Sequence, residues 1–216
     1  MHVLNRYQRE FEVYLRRNAG LIVLLSVLFV IGVVFGGLAV GAVGDHDKAE
    51  LVTYLSQSFE RIVHPASGEG WMIFKLSLIR SAKILAGLWL VGITLLALPC
   101  TAVGAVVWGF VSGFTVSFFT AQMGWSGLAV AVAGHLPHSL VSIPALIIGG
   151  TASAAFSSQV VRSWAERRRL HNFYPTLARF TGTLLAVGVA LLAAGLLEAY
   201  LSPALARLAA AILHLS

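Results

Sequence analysis

Long apolar runs alternate with short polar stretches along the chain, and the lengths of those runs give the first reading. A bilayer core takes about 20 apolar residues per helix. On that scale five spans are predicted: Leu21 to Val43, Ile84 to Leu98, Thr101 to Ala121, Gly127 to Ile148 with a helical extension toward Val161, and Phe180 to Leu201. The second run is short, and an amphipathic segment from Trp71 leads into it. Between the first two runs, Leu51, Leu55, Phe59 and Ile62 recur at helical spacing after Asp47, which suits a helix cap. The stretch Pro65 to Gly70 breaks this helix, and Trp71, Phe74, Leu78 and Ile79 begin another. The tail from Pro203 to Ser216 is amphipathic too, through Leu205, Leu208, Ile212 and Leu213. The expected fold is all-α: a polytopic bundle of five transmembrane helices with an amphipathic helical hairpin lying on one membrane face.

Charge orients this bundle. Arg6, Arg9, Arg16 and Arg17 precede the first span, and Arg162, Arg167, Arg168, Arg169 and Arg179 separate the fourth from the fifth. Basic residues beside spans mark cytoplasmic segments. Four spans lie between the two clusters and return the chain to the same side, so the two signals agree. Segments 1–20 and 162–179 are therefore expected in the cytoplasm. The amphipathic loop 44–82 and the tail 203–216 are expected outside.

Composition sharpens the class. Residues are 58% hydrophobic and 11% charged, with a mean hydropathy of +0.84. Soluble domains are roughly a quarter charged, so residues 1–216 read as one integral membrane domain. The net charge of +6 sits in patches beside spans, which is a topology signal and not a nucleic-acid footprint. The stretch of about twenty residues before the first run is too polar for a signal peptide. A single cysteine, Cys100, allows no intramolecular disulfide.

In lipid, small residues mark helix contacts. The third span carries Ala105, Gly109, Gly113 and Ser117 at every fourth position. The fifth carries Gly182, Ala186, Ala190 and Ala194 and then Glu198, while the first pairs Gly32 with Gly36 and Gly37 with Gly41. Such stripes serve packing within one chain or the seam of a homodimer.

The fourth run contains "GHLPHSLVSIPAL" (134–146), with two histidines and two prolines. On a helix, Ala131, Gly134, His135, His138, Ser142, Ala145 and Gly149 share one face, so the histidines point into the bundle. A kink or unwound segment is expected near Pro137. Glu198 is the one acid placed inside a predicted span. At 1.5 Å per residue, His135 lies about 12 Å and His138 about 16 Å from the outer end of their span, with Glu198 about 5–8 Å from its own. A His135–Glu198 contact is the shorter reach. Three readings stand: a structural cluster of His135, His138, Ser142 and Glu198, a zinc-type metal site of His135, His138 and Glu198, or a proton or ion path. Neither HExxH, a P-loop nor GxSxG is present. Catalysis is not expected, and no cofactor is required beyond a possible zinc ion.

Four strings carry a resemblance: "GFVSGFTVSFFTAQMGWSGL" (109–128), "HLPHSLVSIPALI" (135–147), "NFYPTLARFT" (172–181) and "EAYLSPAL" (198–205). With "LLSVLFVIGVVFGGLAV" (24–40) they resemble the stage II sporulation protein M family. The resemblance implies a five-span protein of the mother-cell membrane, needed for engulfment of the forespore at the sporulation septum. It also implies a scaffold that recruits two peptidoglycan hydrolases, the stage II sporulation proteins P and D. In the wider family Gly-x-x-Glu follows the Pro-His pair, whereas Ser139 and Ser142 stand here, so one carboxylate is missing from a metal set. The alternative function is a small-solute or ion transporter, or a metal-binding membrane protein, built on the polar face of the fourth span.

Overall fold

A computed structural model describes residues 16–42, 44, 69–94, 96–165, 173–201 and 204–205. Within the described residues the fold is all-α. Helix α1 covers Ala19–Ala39 and ends in a 3₁₀ turn, Val40–Ala42. Helix α2 covers Glu69–Ile93, α3 covers Ala97–Ala165 and α4 covers Phe173–Leu196, followed by a π-helical turn, Leu197–Leu201. Five helical stretches have the length and hydropathy to cross a membrane: Ala19–Ala42, Gly70–Ile93, Ala97–Gln122, Pro137–Ser163 and Tyr174–Leu201.

The 69 residues of α3 supply two of these spans. Drawn straight, such a helix would measure about 100 Å. It is folded into a hairpin at Gly124, whose φ of 61° and ψ of −138° are open to glycine alone. Thr101 and Gly150, at matching distances either side of the bend, consequently lie against each other. The expected break at Pro137 is not found: Gly124 is the residue with non-helical dihedrals, while Pro137 and Pro144 lie inside the helix. Proline's fixed φ is itself helical, so each ring costs a hydrogen bond without unwinding the backbone. Pro99 and Pro175 fall in the first turns of α3 and α4, where a missing N–H costs nothing.

Two span starts moved by ten residues or more. The segment from Trp71, expected as the second arm of an outer hairpin, is continuous with the second span. Lys75, Arg80 and Lys83 lower the hydropathy there but do not break a helix. The first arm, Leu51 to Ile62, lies outside the described residues. So do the basic residues Arg6, Arg9 and Arg167 to Arg169, and the tail beyond Leu205. The fourth span begins ten residues later than its hydropathy suggested, at Pro137. Its second half, "GGTASAAFSS" (149–158), is small and weakly polar, and Gly149 through Ser157 are all buried. This span is the axis of the bundle, with 61% of its apolar window buried against 17% for each of the first three.

Small residues set the α1–α3 seam. A Cβ on Gly32 or Gly36 would strike the carbonyls of Val106 or Phe110, and one on Gly109 or Gly113 those of Phe29 or Val33. Ser117 meets Gly37. The expected stripe on the fifth span behaves differently. Ala194 is buried and Ala190 half-buried, but Gly182 and Ala186 are exposed. A four-residue repeat drifts about 40° per step on a helix of 3.6 residues per turn, so it cannot hold one face through the span. The buried face of α4 is Phe180, Leu184, Val187, Leu191 and Ala194. Phe180 stacks on Phe156 at 4.7 Å between centroids, within a cluster completed by Ala152 and Leu184.

Hydroxyls close the joints that apolar packing leaves. Ser153 Oγ donates to the Leu88 carbonyl at 2.9 Å and Ser157 Oγ to that of Thr94 at 2.6 Å, tying the fourth span to the end of α2. In a medium without water, end carbonyls need such donors. Successive spans alternate in direction, so Ala19, Ile93, Ala97 and Tyr174 lie at one end of the bundle. Ala42, Gly70, the Gly124 bend and Glu198 lie at the other.

A polar hub at the Glu198 end

The last turn of the fifth span widens from α to π over Leu197–Leu201. Turns of this kind recur at functional sites, and this one carries Glu198. Two donors of α2 bond a single oxygen of its side chain, Oε2, and a histidine of α3 stands beside it. Arg80 of α2 donates through Nη2 at 2.6 Å. Ser77, one turn earlier on α2, donates through Oγ at 2.9 Å. His138 of α3 places Nδ1 at 3.4 Å from Oε2 and at 3.2 Å from the Ala194 carbonyl. Both of these partners accept, so Nδ1 carries the hydrogen.

The hub is graded in exposure. The His138 side chain is 11% exposed, Glu198 29% and Arg80 48%. The carboxylate thus lies between a buried imidazole and a guanidinium at the bundle surface. In hydrocarbon an isolated charge is costly, and pairing is the usual solution. One carboxylate here neutralises one guanidinium and joins α2, α3 and the turn after α4. Such charge-assisted hydrogen bonds are roughly twice as strong as neutral ones.

The sequence-derived candidates divide accordingly. His138 and Glu198 are brought together. His135 has helical backbone, but its side chain lies outside those described. The contact expected of His135 is therefore seen for His138, which stands one residue into its span and close to the bundle end. Ser142 is buried to 2% one turn further in, and its Oγ is the buried side-chain oxygen left without a partner among the described residues. Ala131 and Gly134 lie in α3, and Ala145 and Gly149 are buried.

Of the three expected zinc ligands, the side chains of His138 and Glu198 are described and that of His135 is not. No three His, Cys, Asp or Glu side chains gather at metal-binding distance among the described residues. A guanidinium already occupies the carboxylate oxygen a metal would take. Arg80 and Ser77 were missed in the sequence because the span was started at Ile84. The signal was present: Ser77, Ser81, Ile84 and Leu88 follow at helical steps with no breaker between.

Below the hub the buried polar groups among the described residues are hydroxyls, including those of Thr101, Ser142, Thr151, Ser153 and Ser157. A cavity of about 220 Å³ lies among the first four spans, lined by Leu25, Phe29, Ile84, Leu88, Trp108 and Ile147 among others.

Five apolar helices, three of them joined by a polar hub at one end, define a multi-pass helical membrane protein. The Stage II sporulation protein M family profile matches residues 25–203, and the chain belongs to that family. This gives it a general membrane role in sporulation and engulfment. No curated protein and no solved structure matches the chain.

Proposed function

We infer that this protein is a non-catalytic membrane scaffold for engulfment. It holds peptidoglycan hydrolases, the stage II sporulation proteins P and D, on the outer face of the mother-cell membrane at the septum. Orientation follows from charge: Arg16 and Arg17 flank the first span, and Arg162 and Arg179 flank the fourth and fifth. The positive-inside rule sets all four in the cytoplasm, which puts the Glu198 end outside and the tail beyond it. The observation that carries the reading is family membership over 25–203. The hub supports it, because three helices are locked at the end that would face the cell wall enzymes, where a docking surface needs a fixed shape.

The test is affinity isolation of the protein from membranes of sporulating cells in mild detergent, with mass spectrometry of what accompanies it. The scaffold reading expects both hydrolases in amounts comparable to the bait. Isolation of the protein without either hydrolase contradicts it.

A further inference from the structure

Lys83 lies on the exposed face of α2, which it shares with Met72, Lys75, Leu76, Ile79, Ala86 and Leu90. Among the described residues no acid and no hydrogen-bond acceptor reaches it. Its depth can be read along α2 and from a neighbouring span. Lys83 stands 13 residues from Gly70 and 10 from Ile93, about 20 Å and about 15 Å along the helix. The contact of Leu85 with Gly188 agrees, since Gly188 stands 13 residues from Leu201 in the fifth span, also about 20 Å. The four-carbon stem of a lysine cannot carry its ammonium to either surface from there. Lys75 lies two turns nearer the Glu198 end and can reach headgroups. Lys83 cannot.

A cation held at mid-membrane on an outward face requires a counter-charge from outside the molecule. Among the described residues a second copy of this chain supplies none at that depth. Of its nine acids, Glu69 and Glu198 are those in the described helices. Glu198 is already engaged by Ser77 and Arg80 near one end, and Glu69 precedes the second span. We propose that the Lys83 face of α2 docks a membrane-spanning helix of another protein, one carrying an aspartate or glutamate near its middle. Met72, Ile79, Ala86 and Leu90 flank the lysine and give that helix an apolar bed, and Ala86 lets it approach closely. The proposal deepens the scaffold reading by naming the face on which a membrane-anchored partner is held.

The experiment places a photoreactive benzoylphenylalanine at Ile79 in the full chain, irradiates membranes of the native cells and identifies the adducts. The expected adduct is a protein whose spanning helix contains an acid. Its yield should fall about tenfold with Lys83→Glu and with Lys83→Met, hold with Lys83→Arg, and return to Lys83→Glu when the partner's acid is exchanged for lysine. Lys83 is exposed and makes no bond within the chain, so bait levels serve as the folding control. A charge-insensitive adduct, an adduct with lipid alone, or an adduct with a second copy of this chain overturns the proposal. The two readings fail separately. An acid-bearing partner other than the hydrolases upholds this face and removes the named partners. Hydrolases that co-isolate while the adduct ignores Lys83 do the reverse.

Discussion

Glu198 decides most at the scale of single residues. Its loss strands Arg80 and Ser77 together and leaves His138 with the Ala194 carbonyl alone. Leaving buried or half-buried donors unpaired costs about 1–3 kcal/mol, so Glu198→Ala should lower the melting temperature in detergent. Glu198→Gln keeps an accepting oxygen for Arg80 and Ser77 and should lose less. Size-exclusion profiles after heating would report both, and an Ala variant as stable as the unaltered protein would remove the hub from the account. Glu198 was legible in the sequence because an acid inside an apolar run is conspicuous. The choice of His138 over His135 was not. The two differ by one short helical step, and what selects between them is the relative height of α3 and α4, which no local pattern records. Arg80 stayed hidden for a different reason: standing between Lys75 and Lys83, it read as one more charge of an external loop.

Packing between elements rests on glycines that touch backbone. At Gly109 an added Cβ meets the Phe29 carbonyl, whereas at Gly182 nothing lies within 4 Å. Gly109→Leu should therefore prevent α1 from seating, at a cost of about 1–3 kcal/mol or more, while Gly182→Leu should be tolerated. Yield of monodisperse protein separates the two, and equal yields would contradict the seam. Gly124→Ala forces an L-residue to φ 61°, ψ −138°, a strain of about 1–3 kcal/mol. It should reduce folded yield although nothing crowds the site. Spans one, three and five were legible to within a few residues, because continuous apolar runs are length signals. The fourth was displaced, because its most buried half is built from Gly, Ala, Ser and Thr, which score as weakly apolar. The reversal falls at Gly124, inside the gap left between the third and fourth apolar runs, while the kink expected at Pro137 is absent because proline fits helical φ.

The whole molecule is a membrane bundle whose two ends differ. One end carries Arg16, Arg17, Arg162 and Arg179, and the other carries the hub and the exposed Trp125 at the α3 bend. With Cys100 replaced by serine, Trp125→Cys should react with a membrane-impermeant maleimide on intact cells. Arg162→Cys should react only after the membrane is opened. The reverse pattern would invert the orientation. The number of apolar spans and the family were readable from the chain, because each is a property of runs or of strings. The convergence of α2, α3 and α4 on one carboxylate oxygen is a property of assembly. In the proposed scaffold this convergence holds the end of the bundle in the shape its partners recognise. The direct measurement is capture of the two hydrolases from sporulating-cell membranes by unaltered protein and by Glu198→Ala, at matched amounts of folded bait. The account predicts capture by the first and a several-fold loss with the second. Equal capture by both would contradict it.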